Sequence, residues 1–183
     1  MATMILLPSA TGPSSVHWIP VGETYRHECL DDVNDDTSYV SCDNDTFSML
    51  ITYADPDDVT AANSGVAEAD IASITSVRFL SSGKAIHRTD PSRVNIDYQV
   101  PSGNSTESCS YLAHRTNYTT VNGTARSHAN GTSGGWTYAN LESLIMNCTK
   151  DGAINVYLSY LALEVTYVEA AVRDNATFFG ANF

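Results

Sequence analysis

The chain has 183 residues, 43% of them hydrophobic, with 21 acidic against 9 basic side chains and a formal net charge of −12. One ordinary domain of that length buries a real core. The charge excludes nucleic acid as a partner, because that binding depends on Lys and Arg at the phosphates, and it disfavours an anionic membrane surface.

Only two lysines occur, Lys84 and Lys150. An acidic, lysine-poor chain suits very salty water, where the Debye length falls to about 3 Å at 1 M. It equally suits an ordinary protein kept soluble by its charge. The N-terminus has no basic n-region, and no segment approaches the roughly 18 apolar residues of a membrane span. The expectation is a chain made and kept in the cytoplasm until a cell or particle breaks.

In chain order, residues 4–8 read as a short edge strand stopped by Pro8. Residues 16–21 and 24–30 read as strands separated by Gly22, and 37–42 as another. Phe47, Met49, Ile51 and Tyr53 then alternate with Thr46, Ser48 and Thr52, the pattern of a half-buried strand. Residues 54–70 have no strand period and read as a long acidic loop with room for one helical turn. Residues 71–80 resume β structure. Val94, Ile96, Tyr98 and Val100 alternate cleanly with polar neighbours, and 107–129 fits two or three further strands. Thr137 is placed to cap a short helix over 138–144, with Asn140 standing where a capping box carries Glu.

The most informative segment comes last. Ile154, Val156, Leu158 and Tyr160 share one face, and after Tyr160 the phase flips to Leu161, Leu163, Val165 and Tyr167. Successive side chains on a strand point to opposite faces, so a flip requires a bulge, a bend or a crossing between sheets. This reads as one long strand, or two in succession, at the centre of a β-sandwich. The fold expected is an all-β, antiparallel two-sheet sandwich of jelly-roll kind with one short helix late in the chain. Trp18, Tyr39, Trp136, Leu144 and Leu163 are expected in its core. The sandwich spans 1–168. Residues 169–183 form a tail whose Phe178, Phe179 and Phe183 dock on a neighbouring copy, on a larger particle or back on their own sandwich.

The chain shows no G-x-S-x-G, H-E-x-x-H, P-loop or G-x-G-x-x-G motif, and His17, His27, His87, His114 and His128 sit in no dyad or metal spacing. A non-enzyme is expected. Asp31, Asp32, Asp35 and Asp36 offer the oxygen ligands a structural calcium or other cation would take, or they are solvated turn acids; no other cofactor is implied. Seven Asn-x-Thr triplets, at Asn44, Asn104, Asn117, Asn122, Asn130, Asn147 and Asn175, exceed the about one or two that chance predicts. They read either as glycosylation acceptors, Asn147 excepted because it falls in or beside a strand, or as good turn formers. Cys29, Cys42, Cys109 and Cys148 read as buried thiols, with Cys29–Cys42 the first pair to consider for a disulfide.

Several landmarks occur together: Leu7-Pro8-Ser9-Ala10-Thr11-Gly12, then Trp18, then Val21-Gly22, then Asp35-Asp36-Thr37-Ser38-Tyr39-Val40. They are followed by Trp136-Thr137 leading to Leu144, and by Leu163-Glu164-Val165-Thr166-Tyr167. The set resembles a module of structural proteins from tailed double-stranded DNA viruses, over residues 4–167, with the glycine-containing middle strand poorly matched around 94–103. The resemblance implies a non-enzymatic virion component that decorates the head as a turret or spike. The salt-suited composition adds a halophilic, archaeal host. The implied partners are further copies of the chain and the major capsid or other virion proteins, on a particle surface assembled in the host cytoplasm. The alternative is a carbohydrate- or receptor-binding module of a tail fibre, meeting a host surface glycan.

Overall fold

The computed structural model describes residues 1–11, 18–33, 35–42, 48–53, 66–85, 92–100, 103–111, 117–128, 134–151 and 155–171. Within them lie β1 (Ala2–Leu6), β2 (Pro8–Thr11), β3 (Trp18–Val21), β4 (Tyr39–Cys42), β5 (Ser48–Tyr53) and β6 (Ile71–Ala85). There follow β7 (Ser92–Val100), β8 (Gly103–Tyr111), β9 (Thr119–Asn122), the helix α1 (Tyr138–Glu142), β10 (Ile145–Asp151) and β11 (Val156–Glu169).

All pairings are antiparallel. One sheet has the order β3-β4-β11-β6-β9, with β1 also on β11; the other has the order β2-β5-β10-β7-β8. From β4 onward the first strand pairs with the last, the second with the second last, and so on inward. That nesting is the connectivity of a jelly roll. The fold is the sandwich the alternation predicts, extended at the N-terminus by β1, β2 and β3. The first strand ends at Leu6, just before Pro8, and from Pro8 the chain runs as β2 in the other sheet.

β11 is central, and its phase flip is a bulge. Leu158 faces Gly83 and Tyr160 faces Ser82, so Ser159 is the extra residue. The flip falls one residue earlier than the sequence suggests, with Val156 and Leu158 buried before it and Leu161, Leu163, Val165 and Tyr167 buried after it. Tyr160 therefore leaves the core face. One edge of β11 is divided: residues 156–158 pair with β4, and 163–167 pair with β1. Asp31 makes an isolated bridge to Tyr160 in the gap between them.

A single apolar cluster joins the sheets, including Trp18, Phe79, Met49, Ile96, Met146, Leu161 and Leu163. Trp18, Trp136, Leu144 and Leu163 are buried as expected. Tyr39 is not in the core; it lies half-buried on the outer face of its sheet, stacked on Tyr157 at 4.4 Å between ring centroids. α1 is capped at both partners, since the Thr137 hydroxyl accepts from Asn140 N at 3.2 Å and Asn140 Oδ1 accepts from Thr137 N at 3.1 Å. Asn thus completes the capping box here in place of Glu.

One further expectation is corrected, and the reading of Cys29, Cys42 and Cys148 as buried thiols is met. Residues 24–30 are not a strand but a bent loop ending in a 3-10 turn at Glu28–Leu30. Cys29 and Cys42 form no disulfide; they and Cys148 are buried free thiols. The acidic loop does carry one helical turn, at Glu68–Asp70, while its residues 54–65 lie outside the described set.

Candidate functional site

Residues 22–33 and 35–38 form an acidic cleft on the outer side of the sandwich, of 460 Å³, walled by Glu23, Glu28, Asp31, Asp32, Asp35 and Thr37. Its shape is set by the backbone. Gly22 has φ +93°, a region that suits glycine, and a Cβ there would collide with the Thr37 carbonyl oxygen. The two limbs of the loop are therefore packed back to back at the base of the cleft.

Each limb is fastened. Cys29 and Leu30 are fully buried and plug the near limb into the core. The Cys29 thiol, 3.5 Å from Tyr25 O, is pushed up from its ordinary pKa by burial. Arg26 Nε donates to the Trp18 carbonyl. On the far limb, Asp35 Oδ1 accepts from Thr37 N and Thr37 Oγ1, both at 2.7 Å, and these bonds hold its carboxyl below the usual range. Tyr118 Oη donates to Asp35 O at 2.7 Å. Burial, followed by the Asp36 and Tyr39 charges, pushes Tyr118 above its ordinary pKa.

Lys84 locks the far limb to the sheet. It is only 6% exposed, on the outer face of β6, where its ammonium pairs with Asp36. The same ammonium lies 4.5 Å from the Tyr118 ring centroid and 5.8 Å from that of Tyr157. A desolvated cation between two ring faces and a carboxylate is a strong positional anchor.

The run of aspartates is thus split by the fold. Asp36 is taken by Lys84, Asp35 caps Thr37, and Asp31 bridges β11, while Asp32 stands free on the cleft wall. Among the described residues no group of three or more His, Cys, Asp or Glu is arranged to hold a metal ion. Burial pushes the Asp31 carboxyl above its ordinary pKa, and the neighbouring Asp32, Glu23 and Asp35 charges add to the shift.

Glu23, Glu28 and Tyr25 were not legible as site residues, because a strand over 24–30 would have separated them. Tyr25 is 58% exposed and stacks on His27 at 5.6 Å; its N–H donates to Glu28 Oε2 at 3.0 Å. That backbone bond sets Tyr25 beside Glu28, one of the cleft-wall residues. The five acids within 23–35, just after Gly22, are the signal that could have pointed there.

Of the Asn-x-Thr positions, Asn117 and Asn122 are exposed, at and beside the edge strand β9. Asn104 lies in β8, with its side chain outside the described set. Asn147 sits in β10 between β5 and β7, its Oδ1 buried. Asn44, Asn130 and Asn175 lie outside the described residues, as do Phe178, Phe179 and Phe183 of the tail.

No protein-family model matches the chain, and no curated protein matches it. Among solved structures it is similar to a family 16 carbohydrate-binding module (10% identity, 79% of this chain and 82% of that one, TM-score 0.43). It is also similar to the CBM22-1 xylan-binding domain of Xyn10C from Paenibacillus barcinonensis (9%, 87% and 87%, TM-score 0.46). A third is the CBM36-1 domain of a multidomain xylanase from the hindgut metagenome of Trinervitermes trinervoides (9%, 92% and 100%, TM-score 0.39). At such identities and scores the likeness carries no functional argument, and the cleft has to be judged on its own chemistry.

Proposed function

We propose that the chain is a non-enzymatic binding module for carbohydrate, and that the cleft of residues 22–33 and 35–38 is its binding site. One observation carries this: a fastened cleft is lined by five carboxylates, and the exposed Tyr25 is bonded through its backbone N–H to one of them, Glu28. A sugar presents many hydroxyl donors and an apolar C–H face. Ionised carboxylates accept hydrogen bonds without donating any, and bonds to charged acceptors are the stronger kind. The Tyr25 ring offers a flat surface for the C–H face while costing little side-chain entropy. The same charges repel uronic acids and sulfated sugars, so the ligand is a neutral or amino sugar. Because both limbs are held before any ligand arrives, binding carries little ordering cost.

The setting we propose is the surface of a virus particle assembled in the host cytoplasm, in tailed viruses of a halophilic host. It is supported by the sequence landmarks of residues 4–167 and by the acidic, lysine-poor composition. There the module decorates a head or forms part of a fibre, as a homo-oligomer attached to capsid or other virion proteins, and meets a host surface glycan.

Calorimetric titration with neutral, amino and acidic oligosaccharides tests the site. Tyr25→Ala and Asp32→Asn should each weaken binding of a neutral or amino sugar by about tenfold, which corresponds to roughly 1.4 kcal/mol. Absence of binding to either class, or affinity untouched by Tyr25→Ala, refutes it. Labelling of intact particles with an antibody to the chain tests the setting.

A further inference from the structure

A second cleft, of 290 Å³, lies away from the acidic one, at the opening of β6. Glu68, Ile71, Ile74, Trp136 and Tyr138 are among its walls. Its aromatic corner is rigid: Trp136 Nε1 donates to Arg126 O at 2.8 Å, and Tyr138 Oη donates to Val66 O at 3.4 Å.

The end of β11 runs along this cleft. Tyr167 pairs with Ile74, Val168 with Ser73 and Glu169 with Ile71, and Ala170 N then donates to Asp70 O at 2.8 Å. The chain leaves the described fold at Ala171, beside the cleft wall, and residues 172–183 follow outside the described set. That segment carries Arg173 and then the adjacent pair Phe178 and Phe179.

We propose that one ring of the Phe178–Phe179 pair seats in the Trp136–Tyr138 cleft of its own chain, with Arg173 set against Glu68 on the rim. Reach permits it: seven residues from Ala171 to Phe178 span up to about 25 Å at 3.3–3.6 Å each, while adjacent strands lie only about 4.8 Å apart. Size permits one ring, since a cavity of about 150 Å³ already takes a benzene molecule. Neighbouring side chains on an extended segment point opposite ways, so the second ring faces outward. Tethering gives the ring an effective concentration in the millimolar range, which a separate copy does not match in dilute solution. The charges agree as well: the tail's one basic residue follows two positions after Ala171, and Ala170 is bonded to Asp70 in the turn that also carries Glu68. The proposal does not rest on the glycan site.

Trp136 is the reporter. The chain has two tryptophans, and Trp18 is fully buried in the core. Acrylamide quenching is compared between the full chain, the Phe178→Ala/Phe179→Ala double variant and a chain ending at Ala171. Both variants should quench about twofold more strongly, by the same factor at protein concentrations about a hundredfold apart. A peptide of residues 172–183 should restore protection to the shortened chain. Circular dichroism confirms that each variant is folded. Equal quenching in all three proteins overturns the proposal. Protection of the full chain that grows with concentration overturns it in favour of a second copy as the occupant.

Discussion

Removing the Lys84 charge tests whether the cleft is prefastened. Lys84→Met keeps most of the buried stem's volume but deletes the ammonium that pairs with Asp36 and faces the Tyr118 and Tyr157 rings. The ring contacts are partly desolvated and worth about 1–2 kcal/mol together. The Asp36 side chain is 62% exposed, so its share of the ion pair is screened and adds only about 0.5 kcal/mol. The expected loss is therefore roughly 2 kcal/mol. In a chain of this length that lowers Tm by about 4–8 °C, at 2–4 °C per kcal/mol. Differential scanning calorimetry of Lys84→Met, Asp36→Asn and the double variant separates the terms: Asp36→Asn alone should cost little, and the cycle should show a coupling near the ion-pair figure. Sugar affinity should fall as well, because the limb carrying Asp35 and Thr37 loses its anchor. If Lys84→Met melts with the parent protein, the lysine is a neutral resident of the sheet and the argument for a rigid cleft fails.

Gly22→Ala should destabilise by more than the roughly 1–3 kcal/mol of a strained backbone alone, because the Cβ also meets the Thr37 carbonyl; urea titration of the variant measures this, and a cost below about 1 kcal/mol refutes the packing described at the base. Asp31 and Asp35 should act in opposite senses with pH. Folding raises the Asp31 pKa, so its ionised form costs stability at neutral pH and that cost disappears as pH falls through its folded value. Folding lowers the Asp35 pKa, so its contribution is present above its unfolded value and is lost as pH falls through the lower, folded value. Asp31→Asn should therefore raise Tm at pH 7, with the gain shrinking on acidification, whereas Asp35→Asn should lower it; melting curves between pH 3 and 7 decide. Cys29, Cys42 and Cys148 should stay unreactive towards Ellman's reagent until the protein is unfolded, and prompt labelling of more than one thiol in the native state contradicts their burial.

The strands were legible wherever one face is buried and the other is wet. Val94 and Ile96 face in with Asn95 between them half-buried, and β11 announced both its length and its bulge through a phase change. Local rules failed where tertiary contacts decide. Residues 24–30 alternate well enough for a strand, yet Cys29 and Leu30 are drawn inward together by a 3-10 turn, which period-2 reasoning cannot produce. Tyr39 resembled a core aromatic, but its register places it opposite Val21 on the outer face, where a second tyrosine covers it. Asp36 was indistinguishable from Asp31 and Asp32 in the sequence. What separates it is Lys84, 48 positions away, and no local pattern carries that pairing. The cleft followed the same logic: its acids were visible, its walls were not.

The two lysines explain why so acidic a cleft persists. Lys150 is 1% exposed on the inward face of β10, and Lys84 is 6% exposed beneath its tyrosines. Lys84 is committed to Asp36 and Lys150 is withdrawn from the surface, so the other basic side chains are seven arginines against 21 carboxylates in the whole chain. Two of those arginines are occupied elsewhere, Arg26 on the Trp18 carbonyl and Arg78 with Glu164 at 2.7 Å. Glu23, Glu28, Asp31, Asp32 and Asp35 therefore line the cleft with no ion pair to a lysine among the described residues. Their mutual repulsion would splay a free loop, and the fastening by Gly22, Leu30, the Asp31 bridge and Lys84 holds it against that force. Dissolved salt weakens the repulsion further, since the Debye length shortens from about 10 Å at 0.1 M to about 3 Å at 1 M. A surface arranged this way holds its carboxylates in place without ion-pair partners among the described residues, which is the condition a hydroxyl-rich ligand requires and one that a lysine-rich surface would undo.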